Sequence, residues 1–101
     1  MNTDNFSLLG LTLDHGPFGF MDRFRAHHVA NASDHEGRYA YTAQPAVGQW
    51  NCSRLLHAAA PLLAAQPEAA AERVAELLAH FAAVYNTAVM DSWRAKLGLC
   101  E

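Results

Sequence analysis

The chain has 101 residues, ten acidic and seven basic side chains, a formal net charge of -3, 51% hydrophobic residues and two cysteines. That length holds one small domain, and the acidic balance argues against an electrostatic nucleic-acid binder. No run of about 18 apolar residues suits a membrane crossing, and Cys52 and Cys100 are too few for a disulfide framework.

The two halves differ in character. Residues 1–50 hold five of the six glycines, four of the six histidines and only six of the twenty alanines. They read as strand, turn and loop, whereas 51–101 read as helix.

Phe6 to Leu13 is apolar and β-compatible, with Gly10 in its middle, so a short antiparallel hairpin is expected. Such a hairpin gathers Asp4 and Asn5 at one end with Asp14 at the other. Two carboxylates and an amide oxygen are hard donors, suited to magnesium or manganese and poorly suited to zinc. Magnesium takes one or two protein groups and fills its octahedron with water and phosphate oxygens. Asp and Asn are equally at home in turns, where they bond nearby backbone, and spacing alone favours that reading over a metal–nucleotide site.

The following loop is rich in polar candidates. His27, His28, Asp34 and His35 are possible zinc ligands, but no zinc-type spacing accompanies them, and a solvated loop with an Asx turn is the stronger reading. Arg23, Arg25 and Arg38 read as structural ion pairs before phosphate contacts. Ser7 and Ser53 lack the elbow of a hydrolase nucleophile. Tyr39 and Tyr41 read as packing residues, and His57 and His80 as partner-bonded or surface groups.

A helix is expected over Val47 to Ala60, anchored by Trp50, Leu55 and Leu56. Pro61 should end or kink it. Pro67 suits the first position of a new helix, with Glu68 and Glu72 near its positive pole. Val74, Leu77, Leu78, Phe81, Val84, Tyr85, Ala88, Val89 and Trp93 recur at three- and four-residue steps, which makes one apolar stripe read as core. Arg94 and Lys96 sit in the last turns and Gly98 follows as the stop. An unbroken helix over 67–97 would span roughly 45 Å. Either it breaks near Asn86-Thr87 or it lies against a larger body.

Longer motifs carry a resemblance. Asn2-Thr3-Asp4-Asn5, then Asp14-His15-Gly16-Pro17-Phe18-Gly19-Phe20-Met21-Asp22, are similar to the selenoprotein O family. Asn31-Ala32-Ser33-Asp34-His35-Glu36-Gly37-Arg38-Tyr39-Ala40-Tyr41 and Gln44-Pro45-Ala46-Val47-Gly48-Gln49-Trp50-Asn51 continue it in the same order. Arg54-Leu55 and Arg94-Ala95-Lys96-Leu97-Gly98-Leu99 extend it. The resemblance is dense over residues 1–61 and thinner over 62–99. His15 stands where the family usually has Tyr or Phe.

The resemblance implies a protein-kinase-like fold and a protein adenylyltransferase, which moves AMP from ATP to Ser, Thr or Tyr hydroxyls of proteins and releases pyrophosphate. It implies Asp4 as general base, Asn5 and Asp14 as ligands of Mg2+ or Mn2+, and Asp14 also against the nucleotide, with ATP as co-substrate. It further implies a segment of a longer protein whose nucleotide-binding lobe precedes Met1, inactive alone. The fold class expected is α+β, mostly α: a short β-hairpin and loops, then long helices, as part of a kinase-like C-lobe. Residues 1–101 are read as a single partial domain, with 1–46 the hairpin and loop segment and 47–99 the helical segment. ATP and hydroxyl-bearing proteins are the expected partners, without nucleic acid or membrane. Self-association through an exposed apolar helix face is also expected. With no basic-then-apolar leader at its start, a cytoplasmic, bacterial-like setting follows. Two other readings stand beside this one: a non-catalytic helical interaction module and a kinase-like phosphotransferase.

Overall fold

The computed structural model describes residues 2–11 and 19–99. It divides into two compact units, 1–51 and 52–101, each taken here by itself. Helix α1, Gln44–Ala58, runs across that division; α2 is Ala60–Leu63, α3 Pro67–Ala79 and α4 Phe81–Leu97.

The expected hairpin is not formed. Among the described residues there is no strand, so the fold is helical and not α+β. The chain opens instead with a 3-10 turn over Thr3–Asn5 and leaves it extended at Phe6. The Ser7 hydroxyl then accepts the Leu9 amide at 3.1 Å, which spends a donor that a ladder would need. Gly10 follows in the left-handed region at φ 68° and turns the chain again. Phe6, Leu8, Leu9 and Leu11 are all exposed, so no sheet face is buried to repay strand pairing. The rest of the expected hairpin, Thr12 and Leu13, lies outside the described residues, as do Asp14 and His15.

In the first unit, hydrogen bonds do most of the ordering. Asp34 accepts the backbone N–H groups of Arg38 at 3.1 Å and Tyr39 at 2.7 Å, folding the loop around its carboxylate. The amides of Tyr41 and Thr42 donate to the carbonyls of His28 and Ala26. Phe24 meets Tyr41 edge to face at 5.7 Å. A second 3-10 turn, Tyr41–Ala43, leads into α1. There Gln44 reaches back and donates to the carbonyls of Arg38 and Ala40. Among the described residues of this unit, Ala40, Val47, Gly48 and Asn51 are buried.

In the second unit the helix signals act as expected near the prolines. The chain breaks at Ala59, and Pro61 falls in the first turn of α2, where its missing amide costs nothing. Pro67 opens α3 after an extended Gln66, with Glu68 in its first turn. Ala70 and Val74, one turn apart, are 4% and 3% exposed and form the core here. Helix α2 packs on α3, and α3 touches α4.

The long helix does break, but at His80 and not at Asn86-Thr87. His80 caps α3 and begins α4 with φ -80° and ψ -15°. Its amide donates to the Leu77 carbonyl at 3.3 Å, and its carbonyl accepts from Val84 at 3.1 Å. At the far end Gly98 is left-handed at φ 69°. Its amide donates to Ala95 and that of Leu99 to Arg94, the Schellman pattern.

The apolar stripe is only partly core. Val74 is buried, and Leu77, Leu78, Phe81, Tyr85 and Val89 are half-buried. Val84, Ala88 and Trp93 are exposed, and α4 has no buried residue. Among the described residues, no helix is long and apolar enough to cross a membrane.

Candidate active site

Asp4 and Asn5 sit side by side on the opening 3-10 turn, both exposed. The turn closes on itself through two reciprocal bonds. The Asn5 amide donates to the Asn2 carbonyl at 3.1 Å. The Asn2 amide donates to Asn5 Oδ1 at 3.0 Å. This pairing fixes the direction of the Asn5 side chain, because its amide oxygen is held by the backbone three residues upstream. An amide oxygen carries two lone pairs, so Oδ1 keeps acceptor capacity beyond the Asn2 bond.

The turn is held from outside by two residues distant in sequence. Arg38 Nε donates to Asn2 Oδ1 at 3.1 Å. The Arg38 guanidinium lies over the Trp50 ring, 4.8 Å from its centroid. Asn51 Nδ2 donates to the Asn2 carbonyl at 3.4 Å. Asn51 is 4% exposed, and its Oδ1 is buried without a hydrogen-bond partner. Both outer residues therefore grip Asn2, the residue that anchors the turn.

Asp4 and Asn5, neighbours in the sequence, both lie on this exposed turn. Asp14 lies outside the described residues. Among the described residues no three His, Cys, Asp or Glu side chains gather where they would hold a metal ion. The carboxylate of Asp4 and the amide oxygen of Asn5 are hard oxygen donors, the type that magnesium or manganese accepts. Their chemistry fits a cation that takes few protein groups and completes its shell with water and phosphate.

Among the loop histidines, His28 is engaged elsewhere. His28 Nδ1 lies 3.1 Å from an Arg25 guanidinium nitrogen, so it is the acceptor there. Asp34 is occupied by the backbone amides of Arg38 and Tyr39, four and five residues on, and the Asx turn of this loop falls at Asn31, whose Oδ1 accepts the Ser33 amide at 3.0 Å. His57 Nδ1 is 2.7 Å from the Ser53 carbonyl and 3.3 Å from its hydroxyl. The nearer acceptor holds the ring proton on Nδ1, which leaves that nitrogen no capacity to activate Ser53 as a nucleophile.

Sequence reasoning missed Asn2, Trp50 and Asn51 as parts of the site and left Arg38 as a possible ion pair. Only the contiguous runs around Arg38 and Trp50-Asn51 marked these stretches. Their partners stand 36 and 49 residues away, beyond any local periodicity.

The comparisons agree over the whole length. The family model for protein adenylyltransferase SelO matches residues 1–101. The chain is 67% identical over 101 residues to protein nucleotidyltransferase YdiU of Methylococcus capsulatus, covering all of this chain and 20% of that relative. It is 48% identical over 99 residues to the mitochondrial protein adenylyltransferase SelO-1 of Danio rerio, covering 98% of this chain and 13% of that protein. A YdiU protein nucleotidyltransferase of Burkholderia pseudomallei is 49% identical over 108 residues, with 21% of its length covered. The chain thus spans 13–21% of these three relatives. No solved structure matches it significantly. The chain belongs to the SelO family of protein adenylyltransferases.

Proposed function

We propose that this chain supplies part of the catalytic centre of a magnesium- or manganese-dependent protein adenylyltransferase. The observation that carries the reading is the adjacent Asp4 and Asn5, held on one pinned turn in a chain of this family. The acceptor is a Ser, Thr or Tyr hydroxyl of a protein, and the donor is ATP.

The reaction moves AMP. The hydroxyl oxygen bonds to the α-phosphorus, the bond from that phosphorus to the bridging oxygen breaks, and pyrophosphate leaves with the electron pair. Asp4 accepts the hydroxyl proton as the new bond forms. Asn5, with Asp14, would hold the divalent cation. A cation held there would supply positive charge against the phosphates. Phosphoryl-type transfer gains most from such positioning, so a rigid turn under Asp4 and Asn5 suits the chemistry.

Labelled nucleotide tests this reading against its neighbour. ATP labelled at the α-phosphate should mark a protein acceptor when this chain works within its catalytic assembly. Label arriving only from the γ-phosphate would make the protein a kinase-like phosphotransferase instead. The exposed apolar face of α4 favours one further reading, a helical interaction module. Absence of any nucleotide affinity, with folding indifferent to divalent metal, would select it.

A further inference from the structure

We infer that Arg38 and Asn51 are positioning residues, a two-armed clamp that sets the turn presenting Asp4 and Asn5. The inference rests on the adenylyltransferase reading for its purpose, but the clamp is a matter of geometry on its own.

Three observations carry it. First, both arms end on the same residue. Arg38 Nε takes the Asn2 side-chain oxygen and Asn51 Nδ2 takes its main-chain oxygen. Second, that main-chain oxygen also accepts the Asn5 amide, the bond that closes the turn. A displacement of Asn2 therefore displaces Asn5 directly, and Asp4 lies between them. Third, both arms are themselves constrained. Arg38 lies over Trp50, and Asn51 is buried in α1.

The buried oxygen of Asn51 adds to this. An amide with one unpaired acceptor in the interior costs about 1–3 kcal/mol, whereas an apolar residue there carries no such cost. The Asn51 side chain thus spends stability on its donor, and the donor is aimed at Asn2. Arg38 follows the same logic through shape. Its Nε bonds Asn2 while the guanidinium lies over the indole. Lysine keeps the charge but provides neither the Nε donor nor the planar surface.

The test uses the nitrogen-15-labelled chain with Arg38→Lys and Asn51→Asp variants. Backbone amide exchange is read at Asn2, Asn5 and, as the control in the second unit, Val74. Exchange at Asn2 and Asn5 is expected to rise at least tenfold in both variants, with Val74 unchanged. Unchanged exchange at Asn2 and Asn5 overturns the clamp. If Asn51→Asp fails to fold, Arg38→Lys decides by the same readout.

Manganese, with ATP present, is then titrated while paramagnetic broadening of the Asn5 amide is followed. Arg38→Lys is expected to weaken manganese binding about tenfold. Faster exchange with unchanged manganese affinity would reduce the clamp to a folding contact and overturn its positioning role. Absence of broadening at Asn5 in the unsubstituted chain would instead sink the metal reading of the site. Exchange would still decide the clamp in that case, so the two failures are distinguishable.

Discussion

Arg38 places its guanidinium 4.8 Å from the centroid of the Trp50 ring, twelve residues on. This contact joins the loop that carries Arg38 to α1 and leaves Nε pointing at the opening turn. Removing the side chain loses the stacking and a charge-assisted hydrogen bond together. Arg38→Ala should lower stability by about 1–2 kcal/mol. Urea unfolding followed by Trp fluorescence reads it, and a change within error would mean that the contact is not formed in solution.

The core of the second unit rests on few residues. Val74 is 3% exposed, while Val84 is 66% exposed. Val74→Ala should destabilise by roughly 1–3 kcal/mol, because the cavity adds to the lost transfer energy. Val84→Ala should stay within about 0.5 kcal/mol. Thermal melts of helical circular dichroism distinguish them, and equal effects would contradict the burial pattern.

The end of α4 depends on one backbone conformation. Gly98 sits at φ 69°, where a side chain is strained although nothing lies within 4 Å of an added Cβ. Gly98→Ala should therefore cost about 1 kcal/mol through the backbone alone. Faster amide exchange at Gly98 and Leu99 is the expected readout, since their donors close the last turn.

The helical punctuation was legible because it is local. Pro61, Pro67 and Gly98 act on the residues beside them, and each break or start falls where its chemistry requires. The break at His80 was not legible, because His80 keeps a right-handed conformation and needs neither glycine nor proline. The hairpin failed for a related reason. Its apolar pattern counted hydrophobic residues but not the Ser7 hydroxyl, which takes the Leu9 amide, nor the left-handed Gly10. Within the site, Asp4 and Asn5 were readable as neighbours. Asn2, Arg38 and Asn51 were not, since only folding brings them together.

Divalent metal with ATP should raise the melting temperature of the chain. A ligand at one hundred times its dissociation constant stabilises by about 2.7 kcal/mol. Asn5→Ala and Asp14→Ala should each abolish the rise, Asn5→Ala also by freeing the Asn2 amide that it holds. A rise that survives both substitutions would place the nucleotide elsewhere on the chain.

Met90, Trp93 and Leu97, three and four residues apart, leave apolar surface exposed on one side of α4. Contiguous apolar surface of this kind is unusual on a monomer. Light scattering after size exclusion should therefore give a mass that rises with concentration. Trp93→Lys together with Met90→Lys should return it to a single chain. A monomer at every concentration, without dye binding, would contradict the expectation.

The joint at His80 has a mechanical consequence. Its φ and ψ, -80° and -15°, differ from helical values by less than about 30° in each dihedral. No proline ring or left-handed residue at His80 locks the interruption in place, so a modest rotation would splice α3 and α4 into one continuous rod. Such a rod would carry Val74, Phe81 and Tyr85 along a single face, and the length of that face would be set by one residue.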